Sequence, residues 1–234
     1  MIKVGVTPMR GSKLYDLLTA APLIAWYLLG LWRLLPGLAN QAALVKLFLQ
    51  TDYSVLPATL VLSVMSKVCT LIFFTLLVTM FAARRVPLRY ASGFYPRFVA
   101  MAGTFLGIGI VMLPPRELSS AIHLTSLLST IAGTILAIWT VIALARSISI
   151  LPEARAMVTS GPYTLVRHPL YLAELIVLSG VALQYSQPWA FLLLGAHCFF
   201  QFERLRYEER ILLQTFPEYE SYMAHTARLL PYLY

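Results

Sequence analysis

Charged side chains are scarce in this chain, and their scarcity determines its class. Only 12% of its 234 residues are Asp, Glu, Lys or Arg, while 59% are hydrophobic. A soluble helical bundle repeats polar residues at the helical period to form a solvated face, and the long apolar segments here have almost none. The composition excludes an ordinary soluble domain and predicts an integral membrane protein.

Cysteine is scarcer still, which argues against a cysteine-based metal site. Both cysteines, Cys69 and Cys198, lie inside apolar segments, and no spacing of Cys and His residues suits zinc. We therefore expect both to pack against neighbouring helices and expect no bound metal. The first apolar segment also lacks the small-residue cleavage site of a signal peptide.

Six apolar segments are candidates for membrane helices. A helix needs about 20 apolar residues to cross the hydrocarbon core, and the fifth segment, of only about fifteen, is short for a full crossing. The pattern predicts an all-α, polytopic fold with five to six transmembrane helices in one integrated membrane domain. The segments are 17–35, 55–83, 98–113, 122–145, 170–184 and 189–202. Residues 1–146 would form about four spans, and 147–234 a C-terminal region with a loop, a helical hairpin and a tail.

Basic residues cluster at alternate ends of these segments. Cytoplasmic loops are enriched in Lys and Arg, so both termini and the polar clusters described next are predicted to face the cytoplasm. Nucleic-acid binding is not expected, because no soluble basic face with interleaved aromatic residues is visible. The net charge of +8 therefore reflects topology. The clustered residues are Lys3, Arg10, Lys13, Arg84, Arg85, Arg89, Arg97, Arg146, Arg155, Arg167, Arg204, Arg206 and Arg210.

Two polar clusters, residues 158–171 and 203–210, stand out against the apolar background. The turn Ser186-Gln187-Pro188 separates two apolar segments, which should therefore pack antiparallel. The start of the first would then lie beside the end of the second. This arrangement predicts that His168 and Tyr171 lie near Arg204 and Glu208.

Each cluster also has a plainer interpretation. Pro169 suits the first position of a helix, and free amides near His168 could hold an anion; equally, Arg and Tyr residues commonly anchor helix ends at the membrane surface. Arg204 and Glu208 are spaced for an ion pair on a solvated helix end. Bringing the two clusters together favours a binding site, because carboxylates near a membrane are costly without a partner.

Several motifs in the C-terminal part of the chain carry a family resemblance. They are VTSGPY at 158–163, RHPLY at 167–171, EERIL at 208–212, FPEYESY at 216–222 and RLLP at 228–231, preceded by ARSISILPEAR at 145–155. Together they resemble the isoprenylcysteine carboxyl methyltransferase family over about residues 140–231, with the segment 145–155 similar to many prokaryotic members. The first four spans match only as generic hydrophobic helices.

The resemblance implies an S-adenosylmethionine-dependent methyltransferase with a cofactor pocket facing the cytoplasm. Arg204 would meet the acceptor group and is suited to grip a carboxylate. Two positions depart from the family pattern: Ala173 replaces a usual Gly, and Arg155 stands where the eukaryotic enzymes have His. The cofactor would be lined by Arg155, Ala156, Met157, Val158, Tyr163, His168, Pro169, Leu170, Tyr171 and Glu208.

The predicted function is methyl transfer to a lipophilic acceptor in the prokaryotic cytoplasmic membrane, with membrane lipids and this acceptor as partners. The acceptor could be the carboxylate of a prenylcysteine-like compound, a lipid amine or a small thiol. One alternative is an NADPH-dependent sterol-type reductase, although Glu208-Glu209 stand where phosphate-binding basic residues would be needed. Another is a non-catalytic scaffold or transporter using Lys67, which is otherwise expected to snorkel or to pair with an acid such as Asp16. Glu174 is either functional or paired with an Arg.

Overall fold

The computed structural model describes residues 6–8, 13–51, 54, 56–149 and 151–231. Lys3, Arg10 and Val55, on which part of the topology prediction depends, lie outside this range. Seven α-helices are described: α1 Lys13–Thr51, α2 Ala58–Ala83, α3 Phe94–Val111, α4 Ser120–Leu144, α5 Pro169–Ala182, α6 Trp189–Thr215 and α7 Tyr219–His225. Helices α1 to α4 are long and apolar enough to cross a membrane, and α5 is a shorter apolar helix. The predicted all-α, polytopic architecture is confirmed.

Helix α1 is much longer than its predicted segment, 17–35. Its 39 residues continue through Pro22 and Pro36 and extend about 58 Å at 1.5 Å per residue. Proline is tolerated within membrane helices when neighbouring groups satisfy the freed backbone, so Pro36 does not end the helix. At the same rise, α5 spans about 21 Å, less than the hydrocarbon core of about 30 Å.

The helices pack as antiparallel pairs that approach closely at glycines. A Cβ atom at Gly133 of α4 would lie 2.7 Å from Val177 Cγ2 and 3.0 Å from the Ala173 carbonyl oxygen of α5. Small residues of this kind allow membrane helices to pack backbone against backbone. Ala173 is completely buried, and its carbonyl oxygen lies against Gly133 of α4.

A three-stranded antiparallel sheet joins segments that are far apart in sequence. Strands β1 Val6–Pro8, β2 Arg89–Ala91 and β3 Glu153–Ala154 lie side by side in that order. The all-α prediction did not include this small sheet. It attaches the chain before α1 and the loop after α2 to the segment that follows α4.

A buried ion cluster reinforces this attachment. Asp16, in the first turn of α1, is 3.0 Å from Arg84 Nε and 2.9 Å from Arg155 Nη2. Of the two alternatives given for Lys67, pairing with Asp16 is not observed, because Lys67 Nζ donates to the Gly37 carbonyl oxygen at 3.3 Å. Both arginines are therefore held by a helix that the family resemblance does not cover.

Candidate functional site

The hairpin of α5 and α6 brings the two polar clusters together as predicted. The Tyr171 hydroxyl donates a hydrogen bond of 2.6 Å to Glu208 Oε1, and His168 Nε2 lies 3.1 Å from Glu209 Oε1. The helix α5 begins at Pro169 with His168 as its N-cap residue. The beginning of α5 and the last four turns of α6 therefore form one wall.

A cavity lies against this wall and is closed by the loop after α4 and by the tail. Its volume is about 860 Å³ when the space at its open mouth is included. Ten of the eleven residues predicted for the site line it: Arg155, Ala156, Met157, Val158, Tyr163, His168, Leu170, Tyr171, Arg204 and Glu208. Pro169 is not part of the lining; it is fully buried at the first position of α5.

Arg204 is held rigidly by protein groups on three sides. Its Nε lies 3.2 Å from Glu208 Oε1, its Nη2 donates to the Ser149 carbonyl oxygen at 3.2 Å, and its Nη1 donates to Gln201 Oε1 at 3.5 Å. The guanidinium carbon also lies 5.2 Å from the centre of the Tyr171 ring. A guanidinium has five N–H donors, and these three contacts use three of them.

Arg155 lines the cavity, but its charge is already paired within the protein. Its guanidinium binds Asp16 and lies 2.7 Å from Glu153 Oε2, and it also donates to the Arg85 carbonyl oxygen. The Arg155 side chain is completely buried. Within the predicted segment 155–158, the residues left to contact a molecule in the cavity are therefore mainly Ala156, Met157 and Val158.

The amides near His168 are only partly free to bind an anion. The N–H groups of Arg167 and His168 donate to the carbonyl oxygens of Ala227 and Arg228 in the tail, at 2.8 and 3.1 Å. Pro169 has no N–H group. The amides that geometry leaves without an intrahelical partner are those of Leu170 and Tyr171, in the first turn of α5, and both residues line the cavity.

Sequence reasoning gave no role to Glu209, which organises the ion pairs beside the cavity. Its carboxylate lies 2.7 Å from Arg228 Nη2, 3.0 Å from Arg167 Nη1 and 3.1 Å from His168 Nε2. Burial alone would raise the pKa of Glu209, but the His168 hydrogen bond and the Arg228 and Arg167 charges together hold it below its ordinary value. The sequence did offer a signal in the pair Glu208-Glu209. Adjacent residues of a helix point in different directions, so the second glutamate needs partners of its own.

The tail supplies two aromatic residues that were also missed. Tyr219 and Tyr222 line the cavity, and the Tyr222 hydroxyl donates to the Tyr163 carbonyl oxygen at 2.6 Å. Burial raises the pKa of Tyr222 to about 12 and raises that of Tyr163 as well, so both are neutral phenols at neutral pH. The motif at 216–222 marked these residues without indicating that they face the cavity.

The inner end of the cavity holds a carboxylate. Glu174 lines the cavity, and Gln201 Nε2 donates a hydrogen bond to its Oε2. Among the residues that the structure describes, Glu174 forms no ion pair within 4.0 Å. The alternative that Glu174 pairs with an arginine is therefore not observed there.

A second, larger cavity adjoins the first. It lies between α1 and α3, and on the same measure its volume is about 1560 Å³. Apolar side chains line its sides, and Ser149, Leu151 and Glu153 line both cavities. The apolar side chains include Leu23, Trp26, Met101 and Phe105. The two cavities are therefore separated by one short segment of the chain.

Comparisons with known proteins give one family match and two similar proteins. Residues 121–219 match the family model of phospholipid methyltransferase. The chain is 37% identical over 78 residues to the cobalt-zinc-cadmium resistance protein CzcN of Cupriavidus metallidurans, a match that covers 33% of this chain and 36% of that protein. It is 32% identical over 82 residues to the nickel-cobalt-cadmium resistance protein NccN of Alcaligenes xylosoxydans xylosoxydans, covering 35% of this chain and 38% of that protein.

The matches cover only part of this chain and part of each relative. The chain spans little more than a third of the length of either curated relative in the match. Within the described residues there is no group of three His, Cys, Asp or Glu side chains that could hold a metal ion. The family match starts in α4 and includes α5, α6 and most of the cavity lining. Residues 121–219 thus match the phospholipid methyltransferase family, a family of membrane methyltransferases, and the relationship predicted from the motifs is confirmed over this range.

Proposed function

We propose that this protein is an S-adenosylmethionine-dependent methyltransferase that acts on a lipophilic acceptor in the membrane. The observation that carries the proposal is the cavity of the family domain, in which Glu208, Arg204 and the first turn of α5 meet. Neither alternative function explains this arrangement as well. A reductase would need a basic site for the phosphates of NADPH, and the charged groups at the cavity mouth do not form one. A transporter would need Lys67 to line a transport path, and Lys67 instead donates to a helix carbonyl.

The residues present fit the cofactor. Its amino-acid part carries an ammonium and a carboxylate, which require an anionic partner and N–H donors. Glu208 offers the anionic partner, and the amides of Leu170 and Tyr171 offer donors at the positive end of a helix. The aromatic and apolar lining, including Tyr163, Tyr222 and Met157, suits a nucleoside. When bound, S-adenosylmethionine supplies a methyl group on a positively charged sulfur.

Arg204 serves in this proposal to orient the reacting groups. Its bonds to Glu208, Ser149 and Gln201 fix the guanidinium, and the side chain is only 8% exposed. A fixed charge in a site sheltered from water acts more strongly than the same charge in solution. Holding two reactants in a productive geometry contributes up to roughly 7–11 kcal/mol in favourable cases, so methyl transfer needs little beyond positioning.

The second cavity supports a lipophilic acceptor. Its apolar walls on α1 and α3 suit a hydrocarbon chain, and Arg97 at its lining is exposed. The shared residues Ser149 and Leu151 place this cavity next to Arg204, because Arg204 Nη2 is bonded to the Ser149 carbonyl oxygen. The positive-inside rule supports an orientation in which the mouth of the first cavity faces the cytoplasm of a prokaryote, where the cofactor is available.

The proposal is tested by the binding of S-adenosylhomocysteine to the detergent-purified protein, measured by calorimetry. We expect micromolar binding that Glu208→Gln weakens at least tenfold. Glu203→Gln is the matched control, because Glu203 lies on the same helix and pairs with Arg206 at the surface, away from the cavity. Labelled methyl transfer into a lipid extract then tests turnover. Absence of binding to the wild type, with NADPH bound instead, would overturn the proposal and favour the reductase alternative.

A further inference from the structure

A carboxylate inside an apolar helix is the feature that the proposed function leaves unused. Glu174 lies in α5, whose other residues after Tyr171 are apolar or small as far as Ala182. Placing a carboxylate in a membrane segment is costly, and such residues usually mark a functional path. Glu174 lines the cofactor cavity. We therefore expect this carboxylate to function within the cavity.

Glu174 occupies the membrane side of the cavity. It follows Tyr171 by three residues on α5, and Gln201 precedes Arg204 by three residues on the antiparallel α6. At 1.5 Å per residue, Glu174 lies about 4.5 Å deeper than Tyr171, and Gln201 lies about 4.5 Å deeper than Arg204. A lipophilic acceptor that enters the first cavity from the bilayer core would pass Glu174 before it meets the cofactor.

Gln201 holds the Glu174 carboxylate in a defined orientation. Gln201 Oε1 accepts a bond from Arg204 Nη1 at 3.5 Å, which turns Nε2 towards Glu174 Oε2. Gly103 of α3 provides the room, because a Cβ atom there would lie 3.0 Å from Gln201 Oε1. In the described part of the chain, Gln201 is the hydrogen-bond donor to Glu174, and Oε1 of Glu174 is left for a molecule in the cavity.

This geometry discriminates between acceptors. An acceptor carboxylate would bring a second negative charge against Glu174 and would need no base. An amine or a thiol carries a proton on its nucleophilic atom and must lose it, and an ordered carboxylate in a sheltered site is a suitable base. We propose, on the basis of the function proposed above, that Glu174 is the proton acceptor for an amine or thiol nucleophile.

The reaction balances with these groups. The lone pair of the acceptor nitrogen or sulfur forms the bond to the methyl carbon, and the carbon–sulfur bond of the cofactor breaks with its electron pair remaining on sulfur. The proton of the acceptor passes to a Glu174 carboxylate oxygen and from there to water at the cavity mouth. Glu208 is unsuited to this step, since its carboxylate already accepts from Tyr171 and pairs with Arg204.

The test compares Glu174→Gln and Glu174→Asp with the wild type in two measurements. Calorimetry with S-adenosylhomocysteine should give dissociation constants within about threefold of the wild type for both variants, because Glu174 does not hold the cofactor. Transfer of labelled methyl to dodecylamine or dodecanethiol should fall roughly 100-fold or more in Glu174→Gln, less in Glu174→Asp, and recover partly as the pH approaches the pKa of the acceptor.

Binding of acceptors provides a readout that is independent of turnover. With S-adenosylhomocysteine present, the wild type should bind dodecylamine more tightly than dodecanoate, and Glu174→Gln should remove the preference. Methylation or preferential binding of dodecanoate by the wild type would overturn the inference and leave the methyltransferase proposal intact. Loss of S-adenosylhomocysteine binding in Glu174→Gln would make Glu174 a cofactor ligand instead. A wild type that binds no S-adenosylhomocysteine would overturn the underlying function.

Discussion

The hydroxyl of Tyr171 donates a 2.6 Å hydrogen bond to Glu208 Oε1 and so joins the two helices of the C-terminal hairpin at the cavity wall. A hydrogen bond to a charged group contributes about 1.5–3 kcal/mol. Tyr171→Phe keeps the ring beneath Arg204 but leaves the Glu208 carboxylate oriented by Arg204 alone. We predict roughly tenfold weaker binding of S-adenosylhomocysteine, measured by calorimetry. Tyr95→Phe, at an exposed tyrosine of α3, is the control and should bind like the wild type; equal affinities in all three proteins would contradict a role for this bond.

Replacing Asp16 should destabilise the protein. Asp16→Asn leaves the buried guanidinium of Arg84 without its carboxylate partner and leaves Arg155 with Glu153 alone, and removing one partner of a buried pair costs about 3–5 kcal/mol. The midpoint of thermal unfolding in detergent should fall by more than about 5 °C. Glu220→Gln, at an exposed position of α7, should leave the midpoint unchanged.

Acid should release the tail through Glu209. Its pKa is lowered in the folded protein from an ordinary value of 4.5, so its ion pairs stabilise the fold above about pH 4.5. This contribution is lost as the pH falls through the lowered pKa. Thermal midpoints measured from pH 3 to 7 should decline less steeply below pH 4.5 in Glu209→Gln, which is already less stable at pH 7. Parallel curves for the two proteins would contradict the prediction, and Glu218→Gln serves as the exposed control.

A single methyl group on α3 should disturb the inner end of the cavity. Gly103→Ala places a Cβ atom 3.0 Å from Gln201 Oε1, closer than ordinary contact, so the amide must move away from Arg204 and Glu174. We predict at least a fivefold loss of turnover with little change in S-adenosylhomocysteine binding. Gly109→Ala on the same helix meets only Leu193, at 3.6 Å, and should be neutral in both assays.

The C-terminal hairpin could be predicted from the sequence because its determinants are local. A proline turn between two apolar segments fixes an antiparallel pair, and this pairing brings Tyr171 to Glu208 without any other information. The full length of α1 was not predictable in the same way. Whether Pro36 ends a membrane helix depends on the neighbours that satisfy the freed backbone, and these belong to α2.

The ion pairs of Asp16 and Glu209 illustrate what local patterns omit. Asp16 lies 139 positions before Arg155, and no periodicity connects them. Glu209 is next to a predicted site residue, yet its partners Arg167 and Arg228 come from a loop and from the tail. Both clusters form where separate segments of the chain meet. The residue spacing within one segment carries no information about such contacts.

The small sheet and the Asp16 cluster join segments that are synthesised at different times. Strand β1 and Asp16 leave the ribosome about 140 residues ahead of β3 and Arg155, which at 5–20 residues per second is a delay of roughly 7–28 s. During that interval α1 is inserted while its carboxylate still lacks one of its arginines. The segment that contains β3 and Arg155 can therefore pair only with an N-terminal segment that was made earlier, and a nascent chain that stops before residue 155 would contain α1 to α4 and lack most of the cavity lining.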